Sequence, residues 1–128
     1  MDLYFIEKTD KSPLVSLNPN GIMGIEGVSI TENGIEFYQP IKTWVDEYCI
    51  LPNQNTRIDL SLRYMDSGSF GFLIQILERF NMIHESGKSK VELNWAFEED
   101  DVEMEEYGID IGRIFNFPVN LKVLKNQA

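Results

Sequence analysis

Hydrophobic and polar residues alternate in two stretches of the chain, residues 56–65 and 90–98. A side-chain period of two places alternate residues on one face of an extended strand. Both stretches are therefore predicted to be half-buried β-strands. The predicted buried residues are Ile58, Leu60, Leu62 and Tyr64 in the first stretch, and Val91, Leu93, Trp95 and Phe97 in the second.

Three other stretches repeat their apolar residues at steps of three and four, which is the period of an α-helix. The first is residues 35–48, where Pro40 predicts a kink or a late helix start and Ser29 or Thr31 is expected to cap the helix. The second begins near residue 67 and ends before residues 85–89, and the third is residues 98–115. The predicted buried face of the first helix consists of Ile35, Tyr38, Ile41, Trp44, Val45 and Tyr48.

Shorter apolar runs complete the pattern. Residues 2–7 and 117–124 are predicted strands, residues 14–27 form two strands separated by the turn signal at residues 18–21, and residues 125–128 form a short tail. This order predicts an α/β fold with a mixed sheet, an N-terminal antiparallel meander and about three helices. The 128 residues suit a single domain, residues 1–128.

Composition narrows the possible functions. The chain is 43% hydrophobic and 12% aromatic, as expected for a folded protein, and its net charge is −10. Such a charge repels nucleic acids and anionic membranes, and it suits a basic protein partner or serves solubility alone. The single Cys49 predicts a reducing, cytoplasmic location. No secretory signal, membrane-spanning segment or cofactor-binding motif is found in the sequence.

The tetrapeptide Asp66-Ser67-Gly68-Ser69 lies where the first long strand should end and the second helix should begin. Small residues with side-chain oxygens are favoured there because the first helical amides lack partners within the helix. Asp66, Ser67 or Ser69 is thus expected to cap the helix. The positive end of a helix also suits a phosphate group, so a hydroxyl in this turn is a second candidate feature, a regulatory phosphorylation site.

Residues 98–106 contain seven acidic residues, a third of all carboxylates in the chain. Three interpretations remain open: a solvated helix start favoured by the helix dipole, a surface that binds a partner, or a metal site. The spacing does not follow the EF-hand pattern. If the segment binds a partner, Glu99, Asp100 and Asp101 are the predicted contacts for arginine or lysine.

Residues 64–77 ("YMDSGSFGFLIQIL") resemble the phosphorylation segment of STAS (anti-anti-sigma) proteins, in which a strand leads into an Asp-Ser-Ser-Gly-type turn and a helix. This resemblance implies a STAS-like fold and assigns the modified hydroxyl to Ser67. Four blocks in order are similar to the SiaC family of bacterial regulatory phosphoproteins. They are "SPLVSL" with "GIEGVSI", "EFYQPIKTWVDEY", "YMDSGS" and "VELNWAFEEDDVEMEEYG".

The SiaC resemblance implies a non-enzymatic switch without cofactors. A GHKL-type serine/threonine kinase would phosphorylate Ser67 in a turn shaped by Asp66, Gly68 and Ser69, and a PP2C-like phosphatase would reverse this. The unphosphorylated form would bind and activate a target such as a diguanylate cyclase, in cyclic-di-GMP and biofilm signalling. Two alternatives remain: an anti-anti-sigma factor acting on a sigma-factor antagonist, and a metal-binding protein or enzyme that uses the acidic segment.

The sequence departs from the SiaC pattern at two places. The family's usual acceptor is threonine, often after asparagine, whereas this chain has Asp66-Ser67. This change retains a hydroxyl but alters what the kinase must recognise. Ala96-Phe97 replaces residues that are typically tyrosines in the family.

Overall fold

The computed structural model describes residues 1–125, without the side chain of Thr31, so most of the predicted tail lies outside the described residues. The strands are β1 (Tyr4–Ile6), β2 (Leu14–Asn18), β3 (Ile22–Ser29), β4 (Asn55–Met65), β5 (Lys90–Glu98) and β6 (Val119–Leu124). The helices are α1 (Gly34–Tyr48), which follows a 3-10 turn at Thr31–Asn33, α2 (Ser67–Glu85) and α3 (Val102–Ile114). The element order agrees with the prediction from periodicity.

The six strands form one mixed sheet in the order β1-β2-β3-β4-β5-β6. β1, β2 and β3 pair antiparallel, which confirms the N-terminal meander. β3, β4, β5 and β6 pair parallel, and one helix connects each successive pair. From β3 to β6 each strand lies next to the one before it, always on the same side. Because such parallel crossovers are right-handed, all three helices lie on the same face of the sheet.

One hydrophobic cluster fills the space between this face and the helices, and it includes the inward-facing residues of β2, β3, β4 and β5. Tyr38, Trp44 and Tyr48 of α1 are buried in it, as the sequence predicts. The opposite face of the sheet carries no helix of the described chain, and we call it the open face. Its central residues are Gly24, Glu26, Arg57, Asp59, Ser61, Glu92, Asn94, Ala96, Asn120 and Lys122.

A β-bulge changes the direction of the last residues of β4. Gly27 pairs with Leu62 but Val28 pairs with Tyr64, so Arg63 is an extra residue in β4. The alternation shifts there, and Tyr64 is 52% exposed whereas Met65 is buried. The prediction that Tyr64 faces the core is wrong for this reason.

Helix α1 differs from the prediction at its start. It begins at Gly34 and continues through Pro40, so the late start is wrong. Pro40 is exposed at the helix surface, where the loss of one amide donor is tolerated. Asn33 is the N-cap residue and makes no side-chain capping bond, and Ile35 is 71% exposed instead of buried.

The parallel strands place the start of every helix at one end of the sheet. β3, β4 and β5 finish there, and α1, α2 and α3 begin there. We call this region, residues 29–36, 64–70 and 98–107, the helix-start end. It contains both features that the sequence singles out, the turn at residues 66–69 and the acidic segment.

Candidate functional site

The turn between β4 and α2 is fixed by the Asp66 side chain. Its Oδ1 accepts a hydrogen bond from the Ser69 amide at 2.9 Å, so Asp66 is the N-cap and Ser67 is the first helical residue. Two main-chain bonds hold the same turn: the Phe70 amide donates to the Asp66 carbonyl oxygen, and the Asp66 amide donates to the Ser29 carbonyl oxygen. Of the three capping candidates, Asp66 is the one that caps.

The two serines of the turn have opposite environments. Ser67 and its neighbour Gly68 are exposed, and the Ser67 hydroxyl has no hydrogen-bond partner within residues 1–125. Ser69 is 0% exposed. A partner protein can therefore reach the hydroxyl of Ser67, whereas that of Ser69 is enclosed.

A buried chain of hydroxyl groups lies beneath the turn. Ser69 Oγ donates to the Ser29 carbonyl oxygen at 3.0 Å, and the two serine Oγ atoms are 2.7 Å apart. Tyr38 Oη lies 2.5 Å from Ser29 Oγ. All three bonds are satisfied if Tyr38 donates to Ser29 Oγ and Ser29 Oγ donates to Ser69. These bonds join the end of β3 to the first turns of α1 and α2.

Burial raises the pKa of the Tyr38 hydroxyl, against the opposing effect of its hydrogen bonds to Ser29 and Ser69. The nearby Asp66 carboxylate raises this pKa further. Tyr38 therefore stays neutral and can donate its proton to Ser29. Sequence reasoning did not find this role of Ser29 and Tyr38, because no local pattern indicates which hydroxyls meet across two elements.

Helix α3 brings the acidic segment to the turn. The ring of Tyr107 packs on Phe70 with centroids 4.5 Å apart. Burial raises the pKa of Tyr107, and the charges of Glu103 and Asp66 raise it further. The start of α3 therefore lies close to the cap of α2, which the sequence did not predict.

The three acidic residues proposed as contacts have different positions. Glu99 and Asp100 are exposed in the turn after β5. Asp101 is the N-cap of α3, and its Oδ1 accepts from the Met104 amide at 3.1 Å. Within the described residues, no carboxylate of residues 98–106 forms an ion pair. Glu99 and Asp100 are thus available to a basic partner, and Asp101 also stabilises its own helix.

Exposed apolar side chains accompany these charges at the helix-start end. Ile35 is 71% exposed, Val102 is 64% exposed and Tyr64 is 52% exposed. Ile35 is the second residue of α1, Val102 is the first residue of α3, and Tyr64 precedes the turn. Apolar side chains among carboxylates, beside an exposed serine, are suited to binding another protein.

Two features of the described chain bear on other functions. Among residues 1–125, no three His, Cys, Asp or Glu side chains are grouped so that they could hold a metal ion. No helix in the same range has the length and apolarity needed to cross a lipid bilayer.

The fold and the site define a small α/β protein whose mixed sheet is covered, as far as residues 1–125 describe it, by helices on one face only. Residues 6–124 match the model of the family described as SiaC family regulatory phosphoprotein. The chain therefore belongs to the SiaC family of regulatory phosphoproteins.

Solved structures of SiaC from Pseudomonas aeruginosa share this fold. Apo-SiaC superposes with a TM-score of 0.84 at 22% identity, over 95% of this chain and 99% of that chain. A chain in the crystal structure of the diguanylate cyclase SiaD in complex with its activator SiaC gives a TM-score of 0.87 at 21% identity, over 94% and 99%. The predicted α/β class is confirmed, and the STAS-like description stays a prediction.

A curated relative is an uncharacterised protein of Pseudomonas aeruginosa strain UCBPP-PA14. It is 24% identical over 98 residues, which is 77% of each chain.

Proposed function

We propose that this protein is a non-enzymatic regulatory adaptor controlled by phosphorylation of Ser67. A GHKL-type serine/threonine kinase adds the phosphate in the bacterial cytoplasm, where ATP is available, and a PP2C-like phosphatase removes it. The unphosphorylated form binds and activates a target. The observation that carries the proposal is the contrast between exposed Ser67 and enclosed Ser69 in a turn held by the Asp66 cap.

The environment of Ser67 suits a phosphorylation site both before and after the phosphate is added. In the free state, the cap and the hydroxyl chain beneath it hold the turn in one conformation, so binding does not require the turn to become ordered. Gly68 adds no side chain next to the hydroxyl, which leaves space for a kinase active site. After modification, the phosphate lies at the positive end of α2, which stabilises its charge.

The phosphate would also change the surface that the target meets. It adds about −1.5 to −2 charges at neutral pH, next to Asp66, whose charge acts on Tyr107 together with that of Glu103. A hydrated group of this charge prevents a partner from burying Tyr64, Ile35 and Val102 in a dry contact. We therefore assign the target-binding surface to the helix-start end, with Glu99, Asp100 and Asp101 as contacts for basic side chains of the target.

The proposed target is a diguanylate cyclase, and the output is cyclic-di-GMP and biofilm signalling. Support comes from family membership and from the likeness to the SiaC that is the activator of SiaD. An anti-anti-sigma role uses the same turn and differs only in the target, which would be a sigma-factor antagonist.

Incubation with the cognate kinase and ATP, followed by intact-mass analysis, tests the acceptor. The wild-type protein and the control Ser86→Ala, which removes an exposed hydroxyl at the end of α2, are expected to gain one phosphate. Ser67→Ala is expected to gain none. An unchanged phosphate stoichiometry in Ser67→Ala would exclude Ser67 as the acceptor.

A pull-down with the purified cyclase tests the consequence for binding. Ser67→Ala is expected to retain the cyclase, and Ser67→Asp is expected to lose it. Equal retention by the two variants would contradict the switch, and retention of a sigma-factor antagonist instead of the cyclase would favour the second target.

A further inference from the structure

The open face belongs largely to the parallel part of the sheet, β3 to β6. Parallel sheets in proteins are almost always covered on both faces, whereas antiparallel sheets tolerate water on one side. Here the helices cover one face, and within residues 1–125 no helix or strand covers the other, where loop residues 8–10 line a cavity with Glu26 and Ser61 at one end. This face is therefore a candidate interaction surface, separate from the helix-start end.

The centre of the open face carries small, uncharged residues at several positions. Gly24, Ser61 and Ala96 have short or absent side chains. A row of hydrogen bonds crosses the neighbouring strands: Asn94 Nδ2 donates to Asp59 Oδ1 at 2.8 Å, and Asn120 Nδ2 donates to Asn94 Oδ1 at 3.1 Å. A surface of short side chains with its amides already ordered can accept a second sheet at close range.

The strand register places charges of opposite sign on the two sides of this centre. Glu26 on β3 and Lys122 on β6 occupy one row of the face, joined through Ser61 and Ala96. Within the described residues, neither Glu26 nor Lys122 has an ion-pair partner, and both are exposed. The row is thus acidic at one end and basic at the other.

We propose that the open face binds a second copy of this chain, about a two-fold axis that runs parallel to the strands between β4 and β5. This operation places β3 over β6 of the partner subunit and β4 over its β5. Glu26 then faces Lys122 of the partner subunit. Arg57, whose Nε pairs with Asp59 Oδ2 of its own chain at 3.2 Å, faces Glu92 of the partner subunit. Each pair occurs twice, because the interface is isologous.

The distances allow these contacts. Strands lie about 4.8 Å apart, so Glu26 and Lys122 each lie about 7 Å from the axis. Packed sheets are separated by about 10 Å and cross at about −30°, which displaces facing residues at this distance by a few ångströms. The long side chains of glutamate and lysine span that displacement.

A two-fold axis perpendicular to the strands at the central row lacks this complementarity. An axis along the row of Asp59 and Asn94 would place Glu26 over Ile22 of the partner subunit and Arg57 over Ser61 of the partner subunit. No opposite charges meet, and a carboxylate faces an apolar side chain. The charges therefore favour the axis parallel to the strands.

The dimer is expected to be weak. A patch of four strands and five residues measures about 19 by 17 Å, which is smaller than the roughly 800 Å² per partner of a stable interface. The net charge of −10 on each copy also opposes association. A strand-parallel axis leaves both Ser67 turns at the same end of the dimer, where a two-fold symmetric partner can bind both.

Sedimentation equilibrium of the unmodified full chain tests this inference independently of phosphorylation. Protein from about 10 µM to about 1 mM is compared at about 0.15 M ionic strength, which screens the long-range repulsion. The wild-type protein is expected to show a reversible monomer–dimer equilibrium. A monomer over the whole range would overturn the proposal and leave the open face to another partner or to solvent.

Charge substitutions test the arrangement. Lys122→Glu is expected to weaken the dimer by about tenfold or more, since each substitution acts twice. The double variant Glu26→Lys/Lys122→Glu is expected to restore it. Lys88→Glu, an exposed lysine outside the open face, makes the same change in net charge and is expected to have little effect. A dimer weakened equally by Lys88→Glu, or not restored in the double variant, would contradict the proposed register.

Discussion

Replacement of Gly108 by alanine is expected to destabilise the protein, although this change usually stabilises a helix. A Cβ atom at Gly108 would lie 2.5 Å from Trp95 Cδ1 and 2.7 Å from Leu121 Cδ2. Trp95 is buried, and its Nε1 donates to the Met104 carbonyl oxygen at 2.8 Å. The indole ring cannot move away without the loss of that bond, so α3 must shift outward from the sheet.

The magnitude follows from two opposing effects. Overpacking of a well-filled core costs about 1–3 kcal/mol. The gain from glycine to alanine within a helix is about 0.5–1 kcal/mol. A net loss of about 1–2 kcal/mol in the free energy of unfolding is therefore expected for Gly108→Ala.

Gly112→Ala is the matched control in the same helix. Its Cβ would lie 3.8 Å from Val119 Cβ, an ordinary contact, so this variant is expected to be slightly more stable than the wild type. Urea unfolding followed by tryptophan fluorescence measures both. With a slope of about 1.5 kcal/mol/M, Gly108→Ala should lower the midpoint by about 1 M. A midpoint for Gly108→Ala at or above that of the wild type would refute this packing argument.

Three further predictions concern the turn and the single thiol. Asp66→Ala should lower the free energy of unfolding by about 1 kcal/mol through loss of the cap, and Asp66→Asn should retain it; equal urea midpoints for the two variants would contradict the capping role. Ser69→Ala should lower the free energy of unfolding by about 1–3 kcal/mol, because the hydroxyl and the carbonyl oxygen of Ser29 lose a buried hydrogen-bond partner. An unchanged urea midpoint for Ser69→Ala would argue against the hydroxyl chain. Burial raises the pKa of the Cys49 thiol to about 11, so at about pH 8 it should react with a disulfide reagent about a hundredfold more slowly than in the unfolded chain. The reaction rate of Cys49 should increase as the pH rises towards that pKa. Equal rates in the folded and unfolded chains would show that burial does not suppress the thiolate.

The order and class of the elements could be predicted because periodicity reports which face of each element is buried. Residues 90–98 alternate except at Ala96, and β5 has those same bounds. The prediction failed where the backbone departs from a regular strand. Tyr64 continues the alternation in sequence but follows the bulge at Arg63, so it points away from the core. Gly27, within the paired strand, was a signal for such a bulge.

The candidate site was predicted as a segment, but its environment was not. A serine between a buried strand and a helix identified residues 66–69 as a helix start. The sequence could not show that Asp66 makes the cap or that Ser69 is enclosed, because both depend on Ser29 and Tyr38 from other elements. Long-range contacts of this kind leave no local pattern in the sequence.

The position of the acidic segment beside the turn also required the structure. Periodicity predicted the third helix, but only the parallel order of β4, β5 and β6 brings its start close to that of α2. The contact between Tyr107 and Phe70 fixes this arrangement. The acidic residues and Ser67 thereby become parts of one surface.

The central claim is that phosphorylation of Ser67 releases the proposed target, a diguanylate cyclase. Titration calorimetry tests it most directly, by comparing the affinities of the unmodified and the Ser67-phosphorylated protein for the purified cyclase. Like-charge contacts and lost apolar contacts at an interface cost several kcal/mol, so phosphorylation should weaken binding by about a hundredfold or more. The Ser67→Ala variant, treated with kinase and ATP in the same way, should bind like the unmodified protein. Equal affinities of the phosphorylated and unmodified proteins for the cyclase would contradict control of target binding by Ser67 phosphorylation.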